Sequence, residues 1–398
     1  MQFKNHPKNF CSAPWKATYY KESLQKYKMC CVFPTWTKAD SPEDYYNSDV
    51  VKSVRESIMK GEWHPGCATC KEQEEAGLHS DRESFNWNFD IEKNPVDTSK
   101  FDLKWIDYRP GNLCNLKCRM CSPSNSSLIQ KEYKSYPEDI LEVAQGRNEM
   151  YGNHQSTELL PSICNHETFR SLEVLKILGG EPTIDQSVFK LLDWVNENNY
   201  AKNIDLRYTT NATNINKRWV KATENFKTSR AQISLDGTGR TYEYIRTNAN
   251  WNKVKENTLK IPTEIKNIKG MGTNIVFSLY NCFTIDEWYP EMLEIVDNIN
   301  GRGVKYNLHI IDCTGPNYIR VRNLPDQFKE KIMDKLEKFP NDKTIQALKY
   351  FTTAKATREA SKMLPKFFKF NDHLDKIRKT NINDLSTIYE ELRQTTIQ

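Results

Sequence analysis

The sequence predicts an α/β fold in which a parallel sheet is connected by helices. Short apolar runs alternate with longer amphipathic segments through the middle of the chain, which is typical of strands separated by helices. Cysteine, glycine and asparagine residues follow directly after several of these runs, at Cys114, Gly179 and Asn211. Functional sites in parallel sheets lie at the carboxyl ends of the strands, so the two observations agree.

The elements follow from local periodicity. The predicted strands are 104–109, 173–178, 204–209, 230–235, 274–280 and 305–311, and the helices between them are 187–198, 215–225, 241–260 and 285–300. Beyond Pro325 the segments 328–339 and 344–370 are predicted as lysine-rich helices that pack on the rest of the protein, although a lid or a docking surface would fit the same pattern.

Length and charge limit the choice of function. A chain of 398 residues suggests two or three domains, or one large barrel with additions. The net charge of +5 is mild and no basic stripe is present, so nucleic acid is not indicated as a partner. No apolar run is long enough for export or membrane insertion. We therefore expect a cytoplasmic protein whose eleven cysteines are metal ligands or reduced thiols.

Three cysteines, Cys114, Cys118 and Cys121, lie on one predicted loop with gaps of three residues and then two. Thiolates this close can face a single metal centre. A four-iron cluster needs four protein ligands to be closed, so three leave one iron able to bind another molecule. Zinc with a fourth Cys or His, or reduced structural thiols, would be the alternatives, and the nearest histidines along the chain are distant.

Two further segments follow predicted strands. Gly179-Gly180-Glu181-Pro182 comes directly after the strand 173–178, and adjacent glycines let backbone approach a ligand closely. Asn211 follows the strand 204–209, and Ser234 lies in the strand 230–235. Without the cysteine loop, the glycine segment would be interpreted as a turn. Asn211 and Ser234 would be interpreted as the polar residues that commonly occur at strand ends.

With these motifs the chain resembles the radical S-adenosylmethionine (SAM) enzymes. The cysteine run is similar to the cluster motif of the family, and Gly179-Gly180-Glu181-Pro182 to its SAM amino-group motif. Ser234-Leu235-Asp236-Gly237 and the segment ending at Arg246 resemble a third family segment. The similar region runs from about residue 103 to 313. Met120 departs from the aromatic residue usual at that position, near the adenine.

The resemblance implies a partial (β/α)6 TIM-like barrel and a defined cofactor set. Cys114, Cys118 and Cys121 would bind three irons of a 4Fe-4S cluster, and the amino and carboxylate groups of SAM would chelate the fourth. Asn211 and Ser234 would line the SAM site, with Ser234 near the ribose, and Arg246 would pair with the SAM carboxylate. One electron, from a reductant such as flavodoxin or ferredoxin, would cleave SAM to a 5′-deoxyadenosyl radical that abstracts hydrogen from the substrate.

A second set of cysteines precedes this region. Cys11, Cys30, Cys67 and Cys70 resemble the ligands of the twitch and SPASM auxiliary-cluster modules, which commonly follow the barrel rather than precede it. The resemblance implies a second 4Fe-4S cluster with all four positions filled. Zinc is the alternative metal, and Cys31 is the alternative to its neighbour Cys30.

The expected layout is an auxiliary module at 1–92, a core barrel at 101–322 and a helical extension at 323–398. The leading hypothesis for the function is a radical SAM enzyme that modifies a peptide, because auxiliary clusters often accompany peptide modification in the family. The alternatives are a radical SAM dehydrogenase of a sugar or nucleotide, and a non-catalytic iron–sulfur or zinc protein. A structural metal protein would have no need of the glycine and Ser234–Arg246 segments.

Overall fold

The computed structural model describes residues 6–75, 77, 79–144, 157, 159–313, 315–340, 342–356 and 359–395. Its contacts divide the chain into two compact units. Unit one comprises the described residues of Met1–Gly111, Asn153–Tyr208 and Lys221–Ser229. Unit two comprises those of Asn112–Gly152, Thr209–Val220 and Arg230–Gln398. Among the described residues, no helix combines the length and the apolar character needed to cross a membrane.

The strands are β1 (Ala17–Lys21), β2 (Lys26–Lys28), β3 (Thr37–Lys38), β4 (Trp105–Arg109), β5 (Lys117–Cys118), β6 (Val174–Ile177), β7 (Asp205–Thr210), β8 (Thr228–Ile233), β9 (Arg246–Thr247), β10 (Ile268–Phe277) and β11 (Lys305–Asp312). The helices are α1 (Ala13–Lys16), α2 (Pro42–Tyr46), α3 (Asp49–Met59), α4 (Ala68–Glu75), α5 (Asp81–Asn88), α6 (Ser127–Tyr133), α7 (Glu138–Ala144), α8 (His166–Phe169), α9 (Gln186–Glu197), α10 (Lys217–Thr223), α11 (Gly239–Ile245), α12 (Trp251–Glu264), α13 (Ile285–Asn300), α14 (Asp326–Leu336), α15 (Lys343–Thr353), α16 (Ala360–Arg378) and α17 (Ile388–Gln394).

Unit one is built on a mostly parallel sheet. Strand β1 pairs in parallel with β4, β4 with β6, and β6 with β7, while β2 and β3 add an antiparallel edge beside β1. Ile106, Leu175 and Leu206 point to one face of this sheet and are fully buried. That face is the apolar one, as expected where helices cover a parallel sheet. Side chains on the other face include several charged groups.

Unit two contains a parallel pair and a short antiparallel ribbon. Strands β10 and β11 pair in parallel over eight residues each, and β8 lies beside β10. Strands β5 and β9 form a separate two-stranded ribbon. The carboxyl-terminal helices bury apolar side chains, among them Phe367 and Phe370 of α16. The ribbon and α16 position the cysteine loop, as described below.

All six predicted strands are present, and two boundaries differ for identifiable reasons. The last strand but one begins at Ile268 rather than at 274. Its early glycines argue against a strand in the sequence, but a Cβ at Gly272 would lie only 2.8 Å from the backbone oxygen of Asn307, so the neighbouring strand requires glycine there. The predicted helix 241–260 is two helices, because Asn248 has a positive φ and Asn250 caps α12.

The terminal segments also differ from simple expectation. Residues 1–92 share a compact unit with later parts of the chain, and β1 joins the sheet of β4. The predicted helix 344–370 is two helices, α15 and α16, and residues 357 and 358 between them lie outside the described residues. The domain boundaries near residues 92 and 322 remain predictions.

Candidate functional site

The cysteine loop in unit two is closed at its base by hydrogen bonds. The buried side chain of Asn112 donates from Nδ2 to the Pro123 oxygen and to Gln130 Oε1, both at 2.8 Å. The amide of Ser127 donates to the Asn112 oxygen at 2.6 Å. Residues 112–127 therefore form a loop with joined ends, which holds the three cysteines in one short stretch.

Cys118 is fixed by the ribbon. In that ribbon Cys118 pairs with Arg246, and Arg246 Nη1 lies 3.6 Å from Cys118 Sγ as a donor. Arg246 Nη2 donates to Asp236 Oδ2 at 2.6 Å, and Asp236 Oδ1 accepts from the amide of Val276 at 3.1 Å. Arg246 Nε is buried and has no hydrogen-bond partner among the described residues. One donor of this guanidinium is thus left for a ligand.

The pKa values of this pair reflect burial and proximity. Burial raises the pKa of the Cys118 thiol to about 11, although the neighbouring Arg246 lowers it. Burial opposes the charge on Arg246, but Asp236 and then Cys118 outweigh it, so the pKa of the guanidinium is raised. Metal ligation requires the thiolate, so binding of a metal at Cys118 releases a proton beside a permanent cation.

Cys114 lies beside a triangle of polar side chains. Asn211 Nδ2 donates to Asn115 Oδ1 at 3.0 Å, Asn115 Nδ2 donates to Thr213 Oγ1 at 2.8 Å, and Thr213 Oγ1 donates to Asn211 Oδ1 at 2.7 Å. Asn211 Nδ2 is 4.0 Å from Cys114 Sγ. Asn211 therefore braces the first cysteine as well as lying at a strand end. Ser234 is half-buried, and its amide donates to the Thr210 oxygen at 2.8 Å.

A buried arginine joins the loop to helix α16. The Arg119 side chain is fully buried, stacks 3.6 Å from the Tyr244 ring and donates from Nε to the Tyr244 oxygen at 2.9 Å. Its Nη1 donates to Asn371 Oδ1 at 3.1 Å, and its Nη2 donates to Asp375 Oδ1 at 2.5 Å. A cation buried this deeply is held only with such complete pairing.

A second arginine of α16 reaches the ribbon directly. Arg378, which is 2% exposed, donates from Nη2 to Glu132 Oε1 at 2.6 Å and from Nη1 to the Lys117 oxygen at 2.8 Å. Lys117 Nζ and Tyr136 OH also donate to the Glu132 carboxylate. Burial alone would raise the pKa of Glu132, but these donors, led by Arg378, lower it to about 2. We call this set of residues the helix clamp: Arg119, Arg378, Asn371, Asp375 and Glu132.

The Gly179–Pro182 segment lies in unit one and has the backbone of a tight turn. Gly179 has φ +88°, and an added Cβ would stand 3.0 Å from the Gly111 oxygen. Gly180 has φ +43°. Neither position suits an L side chain. Glu181 is 1% exposed, and its Oε1 accepts from the amide and hydroxyl of Thr183 at 3.2 and 2.7 Å. The turn therefore offers backbone groups rather than side chains to a ligand, and the Glu181 carboxylate is directed toward Thr183.

The amino-terminal cysteines line one cavity of unit one. Cys11, Cys30, Cys67 and Cys70 share it with apolar side chains such as Phe85, and Cys31 is not among its lining residues. Burial, and then the neighbouring thiols, raise the pKa values of Cys30 and Cys67, the latter to about 11. The geometry therefore separates the adjacent pair: Cys30 faces the cavity with the other three cysteines.

One arginine organises the wall of this cavity. Arg82 is 3% exposed, pairs with Glu74 through two nitrogens at 2.7 and 2.6 Å, and donates to the Phe10 oxygen at 2.9 Å. Glu74 and Arg82 thus join α4, which contains Cys70, to α5 and to the residue before Cys11. The capping box of Ser80 and Glu83 fixes the start of α5.

The sequence-predicted site residues divide between the units. Unit two contains Cys114, Cys118, Cys121, Asn211, Ser234 and Arg246, and unit one contains Gly179–Pro182 and the amino-terminal cysteines. In the part of the chain that the structure describes, no three His, Cys, Asp or Glu side chains converge closely enough to hold a single metal ion. The two cysteine sets nonetheless fit iron–sulfur chemistry, since clusters are held by cysteine thiolates. The Arg246 Nε, which has no hydrogen-bond partner among the described residues, fits a carboxylate ligand.

Asp236 and the helix clamp were not predicted as parts of the site. Asp236 lies in the segment that resembles a family motif, but its hydrogen bond to Arg246 was not predicted. The clamp residues had no local signal, because Arg119 and Asp375 are 256 residues apart.

Part of the chain is similar to a known family. Residues 108–280 match the family model described as the Radical SAM superfamily, and the predicted α/β fold class is confirmed. That span includes the three loop cysteines, the glycine turn and Arg246. No curated protein matches the chain.

Solved structures with similarity include anSMEcpe with bound AdoMet and the Cp18Cys peptide, at 19% identity and a TM-score of 0.34 over 58% of each chain. Streptococcus suis SuiB bound to S-adenosylmethionine is 17% identical with a TM-score of 0.34, over 71% of this chain and 62% of SuiB. SuiB bound to the precursor peptide SuiA is 15% identical with a TM-score of 0.33, over 77% and 67% of the two chains. The chain thus spans about 58% of the length of anSMEcpe.

Proposed function

We propose that the protein is a radical SAM enzyme that modifies a peptide. The observation that carries the proposal is the closed loop with three cysteines, one of them paired with a buried arginine that has an unused donor. When bound at such a loop, a 4Fe-4S cluster with SAM supplies a 5′-deoxyadenosyl radical that abstracts hydrogen from the substrate. The match of residues 108–280 to the Radical SAM superfamily model supports this chemistry.

The residues of the chain would have separate tasks in this reaction. Cys114, Cys118 and Cys121 would ligate three irons, and the base of the loop would keep their spacing. Arg246 would direct its free Nε toward the SAM carboxylate while Asp236 holds Nη2 of the guanidinium. The side-chain-free turn at Gly179 and Gly180 would let backbone approach the SAM amino group. Asn211 and Ser234 would line the cofactor site.

We further propose that Cys11, Cys30, Cys67 and Cys70 hold a second 4Fe-4S cluster in a twitch- or SPASM-like module. Their common cavity supports this assignment and favours Cys30 over Cys31. A closed auxiliary cluster is typical of peptide-modifying radical SAM enzymes, which makes a peptide the proposed substrate. The reaction would need a reductant protein such as flavodoxin or ferredoxin, and a cytoplasmic location would keep the cysteines reduced.

The direct test is a triple variant in which Cys114, Cys118 and Cys121 are changed to Ala. We expect the anaerobically reconstituted variant to lose one oxygen-sensitive 4Fe-4S cluster and all formation of 5′-deoxyadenosine from SAM under dithionite. Cys164→Ala is the matched control, because Cys164 is a half-buried cysteine outside both sets. Undiminished 5′-deoxyadenosine in the triple variant would refute the proposed function.

A further inference from the structure

The sheet of unit one has a row of polar side chains across one face. The strand registers place Lys28, Tyr19, Asp107, Lys176 and Arg207 opposite one another on β2, β1, β4, β6 and β7. Directly opposed residues on neighbouring strands project to the same face, with the strands about 4.8 Å apart. The row therefore forms a continuous polar band, on the face opposite the apolar one.

Two cations of the band already have partners. Arg207 donates from Nε to Asp205 Oδ2 at 2.9 Å and from Nη1 to Asn88 Oδ1 at 3.1 Å. Lys28 donates from Nζ to the Cys31 oxygen at 2.6 Å and lies 4.9 Å from the Trp36 ring. These contacts explain both side chains without a ligand.

Arg109 and Lys176 are different, because they share one carboxylate. Asp107 is fully buried, and its Oδ1 accepts from Arg109 Nε at 3.0 Å while its Oδ2 lies 3.4 Å from Lys176 Nζ. Among the described residues, Nη1 and Nη2 of Arg109 donate to no side chain or backbone group. The Arg109 and Lys176 side chains are 25% and 29% exposed, so both can reach a ligand.

The surroundings leave this group with excess positive charge. Arg109 and Lys176 share the single carboxylate of Asp107, and a third cation, Lys28, lies in the same band. Cations in sheltered positions are normally matched by anions, and the free edge of a guanidinium suits a carboxylate through two parallel hydrogen bonds.

The group also lies beside the glycine turn. A Cβ added to Gly179 would meet Arg109 Cβ at 3.6 Å, so the turn packs against the stem of Arg109. Gly179 belongs to the segment proposed to bind the SAM amino group. An anion held by Arg109 would therefore bind near that segment of unit one.

We propose that Arg109 and Lys176 bind a carboxylate of the substrate, with Asp107 fixing the direction of both cations, so that the substrate is an acidic peptide. This inference rests on the proposed function and adds the substrate class to it. The carboxylate of SAM is the other possible source of the same chemistry. The Arg246 Nε already provides for it, which is why a substrate carboxylate is preferred here.

The test compares two labelled probes on the reconstituted full-length protein. The probes are a rhodamine-labelled pentaglutamate peptide and its pentaglutamine counterpart, and binding is followed by fluorescence anisotropy. The variants are Arg109→Gln and Lys176→Gln, with the exposed Lys202→Gln in the same unit as the matched control. SAM affinity is measured on each protein, and thermal melting followed by circular dichroism checks that each one folds. If Arg109→Gln fails to fold, Lys176→Gln decides.

We expect wild type to bind pentaglutamate at least tenfold more tightly than pentaglutamine. Arg109→Gln and Lys176→Gln should each lose about tenfold in pentaglutamate affinity, with SAM affinity unchanged. Equal binding of the two probes, or an unchanged pentaglutamate affinity in the folded variants, would overturn the proposal. So would a loss of SAM affinity alone, which would assign the site to the cofactor. Formation of 5′-deoxyadenosine by the wild type without peptide tests the proposed function separately, because the binding assay requires no turnover.

Discussion

Arg246 is a buried cation in which two of the three guanidinium nitrogens have hydrogen-bond partners. Asp236 holds one edge of the guanidinium, Cys118 lies against another, and Nε has no partner among the described residues. A buried donor without a partner costs free energy, so such atoms in native proteins commonly mark a ligand position. This makes Arg246 the most direct residue-scale test of SAM binding.

We expect Arg246→Ala to weaken SAM binding by ~1.5–3 kcal/mol, the range for losing a hydrogen bond to a charged group. Iron content should stay unchanged, because Arg246 is not a cluster ligand. Equilibrium binding of SAM and iron analysis of the same preparations measure both quantities. Arg240→Ala is the control, since Arg240 is an exposed arginine whose surface pair with Glu287 should contribute little. Lost iron with unchanged SAM affinity would contradict the assigned role.

Much of the site at this scale was predictable, because its signals are local. The three loop cysteines lie within one short segment, and the glycine turn and Arg246 lie in short recognisable segments of their own. The role of Asp236 was only half predicted. A carboxylate next to glycine has the pattern of a turn, and its ion pair with Arg246 depends on helix α11, which separates the two residues in sequence.

At the scale of elements, the main finding is that a carboxyl-terminal helix holds the cysteine loop. Periodicity predicted helices in this region and a packed position for them, but not their role. Arg119 is 252 residues from Asn371, and Arg378 is 246 residues from Glu132. A lone arginine in a helix has the same sequence pattern whether it is solvated or buried. Only the tertiary fold distinguishes the helix clamp from surface charge.

Removing one partner of the clamp should cost far more than removing a surface pair. We expect Arg378→Met to lower the free energy of unfolding of unit two by about 3–5 kcal/mol, because it leaves Glu132 buried and charged. Arg393→Met, which breaks an exposed pair with Asp372 also involving α16, should cost at most about 1 kcal/mol. Urea unfolding monitored by tryptophan fluorescence measures both. Equal costs would show that the Arg378–Glu132 pair acts as an ordinary surface pair.

The Arg378–Glu132 pair should make the stability of the helix clamp depend on pH. The pKa of Glu132 is lowered to about 2 from the ordinary value of 4.5, so its carboxylate stabilises the fold above pH 4.5. That stabilisation, on the order of 3 kcal/mol, should decline as pH falls from about 4.5 to 2. We expect wild type to exceed Glu132→Gln in stability at pH 6 and to lose the advantage across that range. A difference independent of pH would show that Glu132 acts through packing rather than charge.

At the scale of the whole molecule, the sequence predicted a separate cysteine-rich module before a barrel, and the described part of residues 1–92 shares a compact unit with later parts of the chain. The amino-terminal segment contributes β1 to the sheet of β4, with five residues of each strand paired. Short strands such as β1 combine tyrosines with lysine and threonine, and they have no turn signal that marks them as part of a distant sheet. Local patterns predicted the cysteine sites, whereas strand pairing between residues 88 positions apart in the chain could not be read from them.

That arrangement bears on what a metal at the four amino-terminal cysteines would do. Cys11 and Cys30 pack against a cluster that includes Ala17 of β1, Trp105 of β4 and Val174 of β6. Because metal binding becomes folding free energy in such a site, loss of the metal should disturb the sheet edge as well as the cysteine cavity. This effect is expected for an iron–sulfur cluster and for zinc alike, so stability alone does not identify the metal.

Metal analysis of the Cys67→Ala, Cys70→Ala double variant separates the two possibilities. If the site holds a 4Fe-4S cluster, reconstituted wild type should contain close to twice the iron of the variant, since the cluster proposed at Cys114, Cys118 and Cys121 would remain. If it holds zinc, iron should be equal and zinc should be present in wild type only. We expect the first result, because four thiols share the cavity and a closed 4Fe-4S cluster takes four cysteine ligands. Cys31→Ala is the matched control: it should keep the full iron content, because Cys30, not Cys31, lines the cavity.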